Sequence, residues 1–397
     1  MLLTVSKRVE FSASRRLHLA AISLEENRKR FGEESAATFG SGRNYVAYFV
    51  FSGEPDPVTG MLINISEIKR RAGEVINAHY DHRYLNEDNP AFADLVPTVE
   101  NVALQLLKDV APLFAGERAQ LSAVHVRESR ERSATAYSNG GLDGNFWFEF
   151  SAARRTMSPH LSDAENEQLF GASVRDHGHN YRVRVSVDGE SERGDMFALI
   201  DQLRLSFDHK HLNDDVPALA GQPVTTESVA RLILRELRDL STVTRVRLHE
   251  RDDFSVEAWR NGEMYVAMRE SFGAAHRLHV PQFSDEENAE LFGKCNNPKG
   301  HGHYYITEAT IGADYDERTG AAFHYQQMRD AMRKPIAEWR DRHLDREAED
   351  FRDRPSTGEN IVAALWPKVN ARTSNRLQRL RLWETANNRF TLRRIPR

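Results

Sequence analysis

Three histidines in the last third of the sequence have the type and spacing of a metal site. His301 and His303 flank Gly302, and His276 precedes them in a separate segment. In a β-strand, residues two apart point to the same face, so both imidazoles can reach one ion. Three neutral imidazoles with a fourth position left open are typical of catalytic zinc, whereas structural zinc takes four ligands. We therefore predict a catalytic zinc site formed by His276, His301 and His303.

A cysteine stands shortly before the second of these histidines. Cys295, the single cysteine of the chain, lies in the polar loop 293–300 beside Lys294. A buried thiol can pack as a small hydrophobic group, and a His-Gly-His segment alone is more often a surface turn. The polar neighbours favour an exposed thiol whose pKa is lowered by Lys294. Together with the three histidines, this predicts a reactive cysteine at the metal site.

The elements that must carry these residues recur three times along the chain. Each copy opens with a similar strand motif, VEFSASRRL, FEFSAARRT or ESFGAAHRL, at residues 9–17, 148–156 and 270–278. An alternating strand follows, at residues 44–51, 180–187 and 304–311. Because the copies are a small domain apart, we predict three tandem repeats, called repeats 1, 2 and 3, at residues 1–138, 139–262 and 263–397.

Two helices and a closing strand complete each copy. The first helix is predicted at residues 65–76, 199–205 and 325–339. The second begins at a hydroxyl residue followed by Glu, at residues 97–101, 225–228 and 356–360. The last strand reaches an acid, at Glu128, Glu250 and Glu384. This order predicts an α+β unit, and three such units joined edge to edge predict a closed antiparallel barrel of about twelve strands with the helices outside.

Composition argues against several classes of protein. The 397 residues include 59 acids and 54 bases, which are interspersed and give a net charge of -5. Without a basic stripe, nucleic acid is not an expected partner. No stretch is long enough to span a membrane, and the N-terminal apolar run is too short for a signal peptide. A single cysteine allows no internal disulfide and fits a reducing compartment, so we expect a cytoplasmic protein.

These motifs resemble those of the 6-pyruvoyl-tetrahydropterin synthase family, which also includes 6-carboxy-tetrahydropterin synthases. The resemblance is carried by FGAAHRL, GKCNNPKGHGHYY and LWETANN in repeat 3 and by DHRYLN and DHKHLN in repeats 1 and 2. It implies the tunnelling fold of that family, in which such units form trimeric barrels that stack in pairs. For a chain that holds three units, it implies a homodimer of pseudo-trimeric chains.

The resemblance also implies roles for individual residues. His276, His301 and His303 would be the zinc ligands, and Cys295 a proton-transfer base. Glu384 would anchor a pterin substrate, with further contacts from Thr357 and Glu359. An Asp-His pair from a neighbouring unit would serve as second acid/base, and the sequence offers two such pairs, Asp81-His82 and Asp208-His209.

The implied reaction converts 7,8-dihydroneopterin triphosphate to 6-pyruvoyl-tetrahydropterin with loss of triphosphate. This is a carbon-oxygen lyase reaction of tetrahydrobiopterin biosynthesis, and it needs no redox cofactor. The five residues between Cys295 and His301 resemble the pyruvoyl branch of the family, since the carboxy branch usually has fewer. Two alternatives stay open: a 6-carboxy-tetrahydropterin synthase of deazapurine biosynthesis, and a non-catalytic pterin-binding protein.

Repeats 1 and 2 depart from the metal-binding pattern. Repeat 1 has Arg15 at the first ligand position and the segment Ser41-Gly42-Arg43 in place of His-Gly-His. Repeat 2 keeps His177 and His179 but has Arg154 at the first position and Ser173 near the place of the cysteine. A fixed guanidinium charge repels a metal cation. We therefore expect zinc in repeat 3 alone.

Repeat 3 in turn lacks the acid/base pair. Arg340 and Asp341 stand where the Asp-His pair belongs. The repeats with the pair have no complete metal site, and the repeat with the metal site has no pair. We therefore predict one composite site per chain, with zinc and thiol from repeat 3 and the acid/base pair from repeat 1 or repeat 2.

Overall fold

Twelve strands form one closed antiparallel barrel in the computed structural model, which describes residues 1–189 and 193–395. Around the barrel the strands follow one another in chain order, and the last pairs with the first, Leu2 lying opposite Arg393. The strands are β1 (Leu2–Arg15), β2 (Ser41–Gly53), β4 (Gln120–Arg127), β5 (Arg132–Tyr137), β6 (Leu142–Arg154), β7 (His177–Asp188), β9 (Val243–Arg251), β10 (Phe254–Trp259), β11 (Met264–His276), β12 (His301–Ala313), β13 (Leu377–Thr385) and β14 (Asn388–Arg393). Two short parallel strands, β3 (Arg83–Tyr84) and β8 (Lys210–His211), flank β1 and β6.

The helices lie outside the barrel, as predicted. Each repeat has two long helices: α2 (Ile65–His79) and α4 (Val99–Val110), α6 (Arg193–Phe207) and α8 (Thr226–Glu236), α10 (Tyr325–Ala337) and α12 (Gly358–Arg372). Each repeat also has a short helix before its second strand, α1 (Leu24–Phe31), α5 (Asp163–Phe170) or α9 (Asp285–Phe292), and a single turn, α3 (Leu85–Asp88), α7 (Leu212–Asp215) or α11 (Leu344–Glu347). No helix in the described ranges is both long and apolar enough to cross a membrane.

Alternation along the strands separates two environments. On β13, Leu380 and Leu382 are buried on the face toward the helices, whereas Arg379 and Arg381 point to the opposite face. Because side chains alternate across a sheet, the apolar face packs against α12 and the charged face lines the barrel lumen. The hydrophobic core is thus a layer between barrel and helices, and the lumen is polar.

The three repeats share one backbone conformation at the segment that carries the predicted acid/base pairs in repeats 1 and 2. His82 and His209 have φ of 56°, and Asp341 has φ of 60°. The backbone N–H of each donates to the opening strand of its repeat, at Ser12, Ser151 or Gly273. A positive φ is uncommon for residues other than glycine, so its recurrence marks equivalent positions. Asp341 therefore occupies the place of the histidine.

Candidate metal centre

The three histidines predicted as ligands converge at one end of repeat 3. His276 ends β11, and His301 and His303 open β12, so that strand pairing sets His276 opposite His301. Nε2 of His276 lies 3.0 Å from Nε2 of His301. One nitrogen of each of the three rings lies within 4.8 Å of the others, and in the described part of the chain this is the one such group of His, Cys, Asp or Glu.

Protonation and orientation of the rings fit a cation. Nδ1 of His276 lies 3.1 Å from the carbonyl oxygen of Ser356, so this nitrogen carries the proton and Nε2 presents its lone pair to the centre. Burial lowers the pKa of His276 to about 4 and also lowers the pKa of His301. Neutral imidazoles with converging lone pairs are the donor set that zinc prefers. The residues present therefore fit the metal predicted from the sequence.

Two carboxylates flank the histidines. Glu384 lies on β13, the strand that pairs with β12. Its Oε1 lies 3.7 Å from Nε2 of His303 and 3.9 Å from Nε2 of His276. Glu359, in the first turn of α12, is buried and accepts a hydrogen bond of 2.9 Å from the backbone N–H of Leu62. Burial raises the pKa of Glu359 to about 7, and Glu384 adds to the rise. The carboxyl group of Glu359 is thus able to carry a proton near neutral pH.

The predicted electrostatics of Cys295 are wrong, although its location is at the site. Cys295 lies in the turn Gly293–Asn296 and is half-buried, and its carbonyl accepts a hydrogen bond of 2.9 Å from the N–H of Leu278. Burial raises the pKa of the thiol, and Glu384 raises it further. Lys294 does not reverse this effect, so the thiol stays protonated at neutral pH in the absence of a nearby cation.

Repeat 1 borders this site. The hydroxyl of Thr357, the N-cap residue of α12, donates to the carbonyl of Gly60 at 3.3 Å. Lys7 of β1 donates to Oδ1 of Asn388 at 2.8 Å, and Nδ2 of Asn388 donates to Oε2 of Glu384 at 3.0 Å. Lys7 was not among the residues predicted from the sequence, because the pairing of β1 with β14 that brings it here joins the two ends of the chain.

In repeat 1 the equivalent position is filled by an ion-pair cluster. Arg15, whose side chain is fully buried, pairs with Glu128 and lies 2.9 Å from Glu34. Arg43 pairs with Glu34 as well, and its Nε lies 3.5 Å from Glu128. Two guanidinium groups thus stand where repeat 3 has His276 and His303. That repeat 1 binds no zinc in this manner stays a prediction.

Repeat 2 has an intermediate arrangement. Nη2 of buried Arg154 donates to Oε2 of Glu250 at 2.6 Å, and Nε2 of His179 lies 3.3 Å from Oε1 of the same carboxylate. Burial by itself would raise the pKa of Glu250, but Arg154 holds it below its usual value. Nδ1 of His177 lies 2.7 Å from the carbonyl of Arg175. Arg154 thus lies opposite His177 on the paired strand and shares Glu250 with His179, and the absence of zinc from repeat 2 stays a prediction.

The two Asp-His pairs lie at the same end of the barrel as the histidines. Asp81 accepts a hydrogen bond from the N–H of Ser12 at 2.9 Å, and Nδ1 of His82 lies 2.9 Å from Asp81. Asp208 and His209 repeat this arrangement, with 3.1 Å between Nδ1 and the carboxylate. Both imidazoles are 83% exposed. The backbone hydrogen bond to Ser12 lowers the pKa of Asp81, which keeps the carboxylate ionised beside the ring.

The pairing of the strands places the two Asp-His pairs on different sides of the barrel units. Residues 3–15 of β1 pair with β2 along one edge, so β3 and β14 must share the other edge. The segment after His82 therefore lies on the side of repeat 1 that faces repeat 3. By the same reasoning β8, after His209, shares an edge of β6 with β5 of repeat 1. The Asp-His pair of repeat 1 thus lies on the side of repeat 3, which holds the histidine centre, and that of repeat 2 lies on the side of repeat 1.

A fourth histidine, His343, also lies beside the centre. A single bridge pairs it with Ala275, and Nε2 lies 2.5 Å from the position that a Cβ on Gly300 would take. Gly300 has φ of 78°, so both its conformation and this close approach require glycine. The signal in the sequence is the position two residues after Asp341, where repeats 1 and 2 have Tyr84 and His211.

Comparison with known proteins agrees with the three repeats. The family model described as 6-pyruvoyl tetrahydropterin synthase matches the chain three times, at residues 4–139, 145–261 and 265–394. The 6-pyruvoyl tetrahydrobiopterin synthase of Drosophila melanogaster is 38% identical over 132 residues, which cover 32% of this chain and 79% of the relative. The enzyme of the same name from Homo sapiens is 37% identical over 131 residues, covering 32% of this chain and 90% of the relative.

A solved structure matches one third of the chain. The 6-pyruvoyl tetrahydropterin synthase of Caenorhabditis elegans is 34% identical in the aligned part, with a TM-score of 0.32, and covers 33% of this chain and 95% of the other. Each of these relatives has about the length of a single repeat, whereas the present chain holds three.

Proposed function

Since the chain belongs to the 6-pyruvoyl tetrahydropterin synthase family, we propose that it is a zinc-dependent lyase acting on 7,8-dihydroneopterin triphosphate. The products are 6-pyruvoyl-tetrahydropterin and triphosphate. Members of this family are enzymes that eliminate triphosphate. The observation that carries the proposal is the convergence of three imidazole nitrogens beside Cys295 and Glu384 in repeat 3.

The metal and the substrate have separate sets of residues in this proposal. His276, His301 and His303 hold zinc, which when bound supplies Lewis acidity to the hydroxyl groups of the substrate side chain. Glu384 and Glu359 accept hydrogen bonds from the N–H groups of the pterin ring, and Thr357 fixes the start of α12 that carries Glu359. Since Lys7 reaches Glu384 through Asn388, repeat 1 helps to orient the anchoring carboxylate.

Proton transfer requires two groups on the chain. Cys295 takes a proton from the side chain of the substrate as its thiolate. Burial and Glu384 raise the pKa of the thiol, and a cation on the three histidines would lower it again and so favour the thiolate. The overall reaction needs no external oxidant or reductant. One side-chain hydroxyl is oxidised to a carbonyl as the ring gains the same two electrons, and the other becomes a carbonyl through loss of triphosphate, which turns the terminal carbon into a methyl group. Triphosphate leaves with the electrons of its carbon-oxygen bond.

We assign the second acid/base group to Asp81-His82 of repeat 1. Repeat 3 has Arg340 and Asp341 at the equivalent positions, so the imidazole must come from another repeat. Asp81-His82 is favoured over Asp208-His209 because β3 lies on the edge of β1 that faces repeat 3. Asp81 accepts from Nδ1–H of His82, which leaves Nε2 to exchange a proton.

The proposal is tested by incubating the purified, zinc-loaded chain with 7,8-dihydroneopterin triphosphate and identifying the products by mass spectrometry. We expect 6-pyruvoyl-tetrahydropterin together with stoichiometric triphosphate, and no turnover by a His303→Ala variant. A 6-carboxy product would assign the chain to the other branch of the family. Tight binding of substrate without turnover would make it a pterin-binding protein.

Assembly and location complete the proposal. We propose a homodimer of chains, since one chain already supplies the three units of a barrel, and a cytoplasmic location. Light scattering of the purified chain should give twice the mass of 45.4 kDa. A trimer or hexamer of chains would contradict the assembly.

A further inference from the structure

The barrel lumen contains a cluster of arginines that the proposed reaction does not use. We call it the lumen cluster, and its members are Arg184, Arg245, Arg247, Arg379, Arg381 and Arg389. They lie on β7, β9, β13 and β14, on the face that points away from the helices. The histidine centre lies at the end of the barrel, so the lumen cluster is a separate feature.

Strand register places these positive charges next to one another. Arg184 lies opposite Arg247 across β7 and β9. Arg379 and Arg381 are two residues apart on one strand and therefore share a face, and Arg389 lies opposite Trp383 on the neighbouring strand. Paired strands are about 4.8 Å apart, and like charges directly opposite each other are destabilising. The arrangement needs anions to offset it.

The carboxylates in the lumen offset only part of this charge. Glu308 is shared between Arg247 at 3.1 Å and Arg381 at 3.0 Å. Arg184 has Glu257 at 2.8 Å, and Arg245 has Asp143 at 2.6 Å. Arg389 has no carboxylate within ion-pair distance in the described part of the chain; its guanidinium lies 5.8 Å from the ring of Tyr48. Arg379 lies 3.8 Å from Glu308, and Arg269, outside the cluster, pairs with Glu308 at 2.9 Å. Five of the six guanidinium groups thus share three carboxylates, one of which also serves Arg269.

The excess charge is visible in the hydrogen bonds and titration of the lumen. The Nε atoms of Arg184, Arg379, Arg381 and Arg389 are buried and have no acceptor among the described residues. Burial and the neighbouring guanidinium groups lower the pKa of Arg381, and the pKa of Arg184 falls to about 10. Burial and nearby arginines also lower the pKa of His125 to about 3, so this lumen histidine adds no charge. Buried donors without acceptors call for a partner.

A large cavity leads to the cluster from the end of the barrel opposite the histidine centre. Its volume is about 1700 Å³, and it includes Glu257 and Arg379 of the lumen. More arginines line its mouth, among them Arg376, Arg393 and Arg394. The lining also contains Glu257, Glu263, Asp314 and Glu317, but arginines outnumber these acids, so a negatively charged solute meets an excess of positive charge.

We propose that the barrel lumen binds a short inorganic polyphosphate at the lumen cluster. Guanidinium groups match phosphate oxygens in geometry and charge, and their unpaired Nε–H groups are donors suited to this contact. A chain of several phosphate groups fits better than a single one, because the arginines are spread over four strands. Triphosphate released by the proposed reaction and orthophosphate from solution both present phosphate oxygens to the arginines. They differ in the number of phosphate groups per molecule.

The test is calorimetric titration of the full, zinc-loaded chain with sodium triphosphate and with sodium orthophosphate at low ionic strength. We expect saturable binding of triphosphate, weaker binding of orthophosphate, and loss of affinity as salt is added. The Arg381→Gln/Arg389→Gln double variant should bind triphosphate at least about tenfold more weakly, because two charge-assisted contacts are lost. The exposed Arg372→Gln variant is the matched control and should bind like the parent chain.

Two further measurements separate the lumen from the histidine centre and from misfolding. His303→Ala should keep triphosphate binding, since it alters the centre and not the lumen. Without phosphate, the double variant should melt no lower than the parent chain, because it removes repulsion while Arg247 and Arg269 still pair with Glu308. Triphosphate should raise the melting temperature of the parent chain and not that of the double variant. Equal affinity of the double variant and the parent chain, loss of binding in His303→Ala, or no saturable binding would each overturn the proposal.

Discussion

Arg154 and Glu250 form a buried ion pair, with 2.6 Å between Nη2 and Oε2, at the level where repeat 3 has His276 and Glu384. A buried carboxylate without a counter-charge is strongly destabilising. In repeat 3 a metal ion on the three histidines can supply that charge. In repeats 1 and 2 a guanidinium group supplies it permanently. The arginines at the first ligand position of repeats 1 and 2 therefore stabilise the acids that a metal ion would neutralise in repeat 3.

The parent chain should bind about one zinc ion, since the other two repeats have an arginine at the first ligand position. Metal analysis of the purified chain by mass spectrometry measures this. Replacing His303 by Ala should reduce the content to near zero. Two or more tightly bound zinc ions per chain would contradict the assignment.

Arg154→His should create a second metal site in repeat 2. The new imidazole would join His177 and His179 in the arrangement of the third repeat, and Glu250 would lose the partner that now occupies it. We expect about two zinc ions per chain in this variant. Arg15→His is the matched control, because repeat 1 has Ser41 and Arg43 at the other ligand positions and should stay without metal.

Cys295→Ala should keep zinc and lose most activity, because the thiol is proposed as a base and not as a ligand. Loss of a general base reduces the rate by about a hundredfold or more. Turnover measured alongside metal content distinguishes the two roles. Unchanged turnover would remove Cys295 from the mechanism, and loss of zinc would make it a ligand.

His82→Ala should cost on the order of a hundredfold in kcat, whereas His209→Ala should have little effect. The two histidines have the same backbone conformation and the same exposure, so each variant is a control for the other. The comparison is made on folded, zinc-loaded protein. If both variants kept full activity, the composite site would be wrong and His343 would be the next residue to replace.

Glu359→Gln should change how stability depends on pH. Burial raises the pKa of Glu359 in the folded chain to about 7, so the folded state holds a proton that the unfolded state releases. The stability contributed by this group is present below its unfolded value of 4.5 and is lost as pH rises toward 7, by on the order of 3 kcal/mol. Urea unfolding between pH 4.5 and 7 measures the free energy of unfolding of the parent chain and of the variant. The stability of the variant relative to the parent chain should increase with pH. If the difference in unfolding free energy did not change with pH, the raised pKa of Glu359 would be contradicted.

Repetition made most of the barrel predictable. Three copies of one pattern of strands and helices specify the same unit three times. A strand or helix predicted in one copy therefore supports the prediction of the same element in the other two. The histidine centre was predictable for a local reason, since His301 and His303 share a strand face. The short helices α1, α5 and α9 were missed, although each opens with a capping box whose serine and glutamate are visible in the sequence, as at Ser23 and Glu26.

Features that depend on distant pairing were not predictable. The contact of Lys7 with Asn388 depends on the register of β1 against β14, which are separated by almost the whole chain. The pKa of Cys295 was predicted in the wrong direction because its sequence neighbour Lys294 matters less than burial and Glu384. Local sequence carries the pattern of a strand, but not which groups its neighbours bring.

The pairing of β14 with β1 closes the ring within one polypeptide. In a ring of three identical chains, every substitution appears at all three sites at once, so an arginine at the first ligand position would abolish every metal centre. In the present chain, the corresponding positions of the three repeats are encoded by separate codons. Natural selection can therefore retain one centre for catalysis while the other two accumulate changes, and a dominant-negative mixture of intact and altered subunits within a barrel cannot arise.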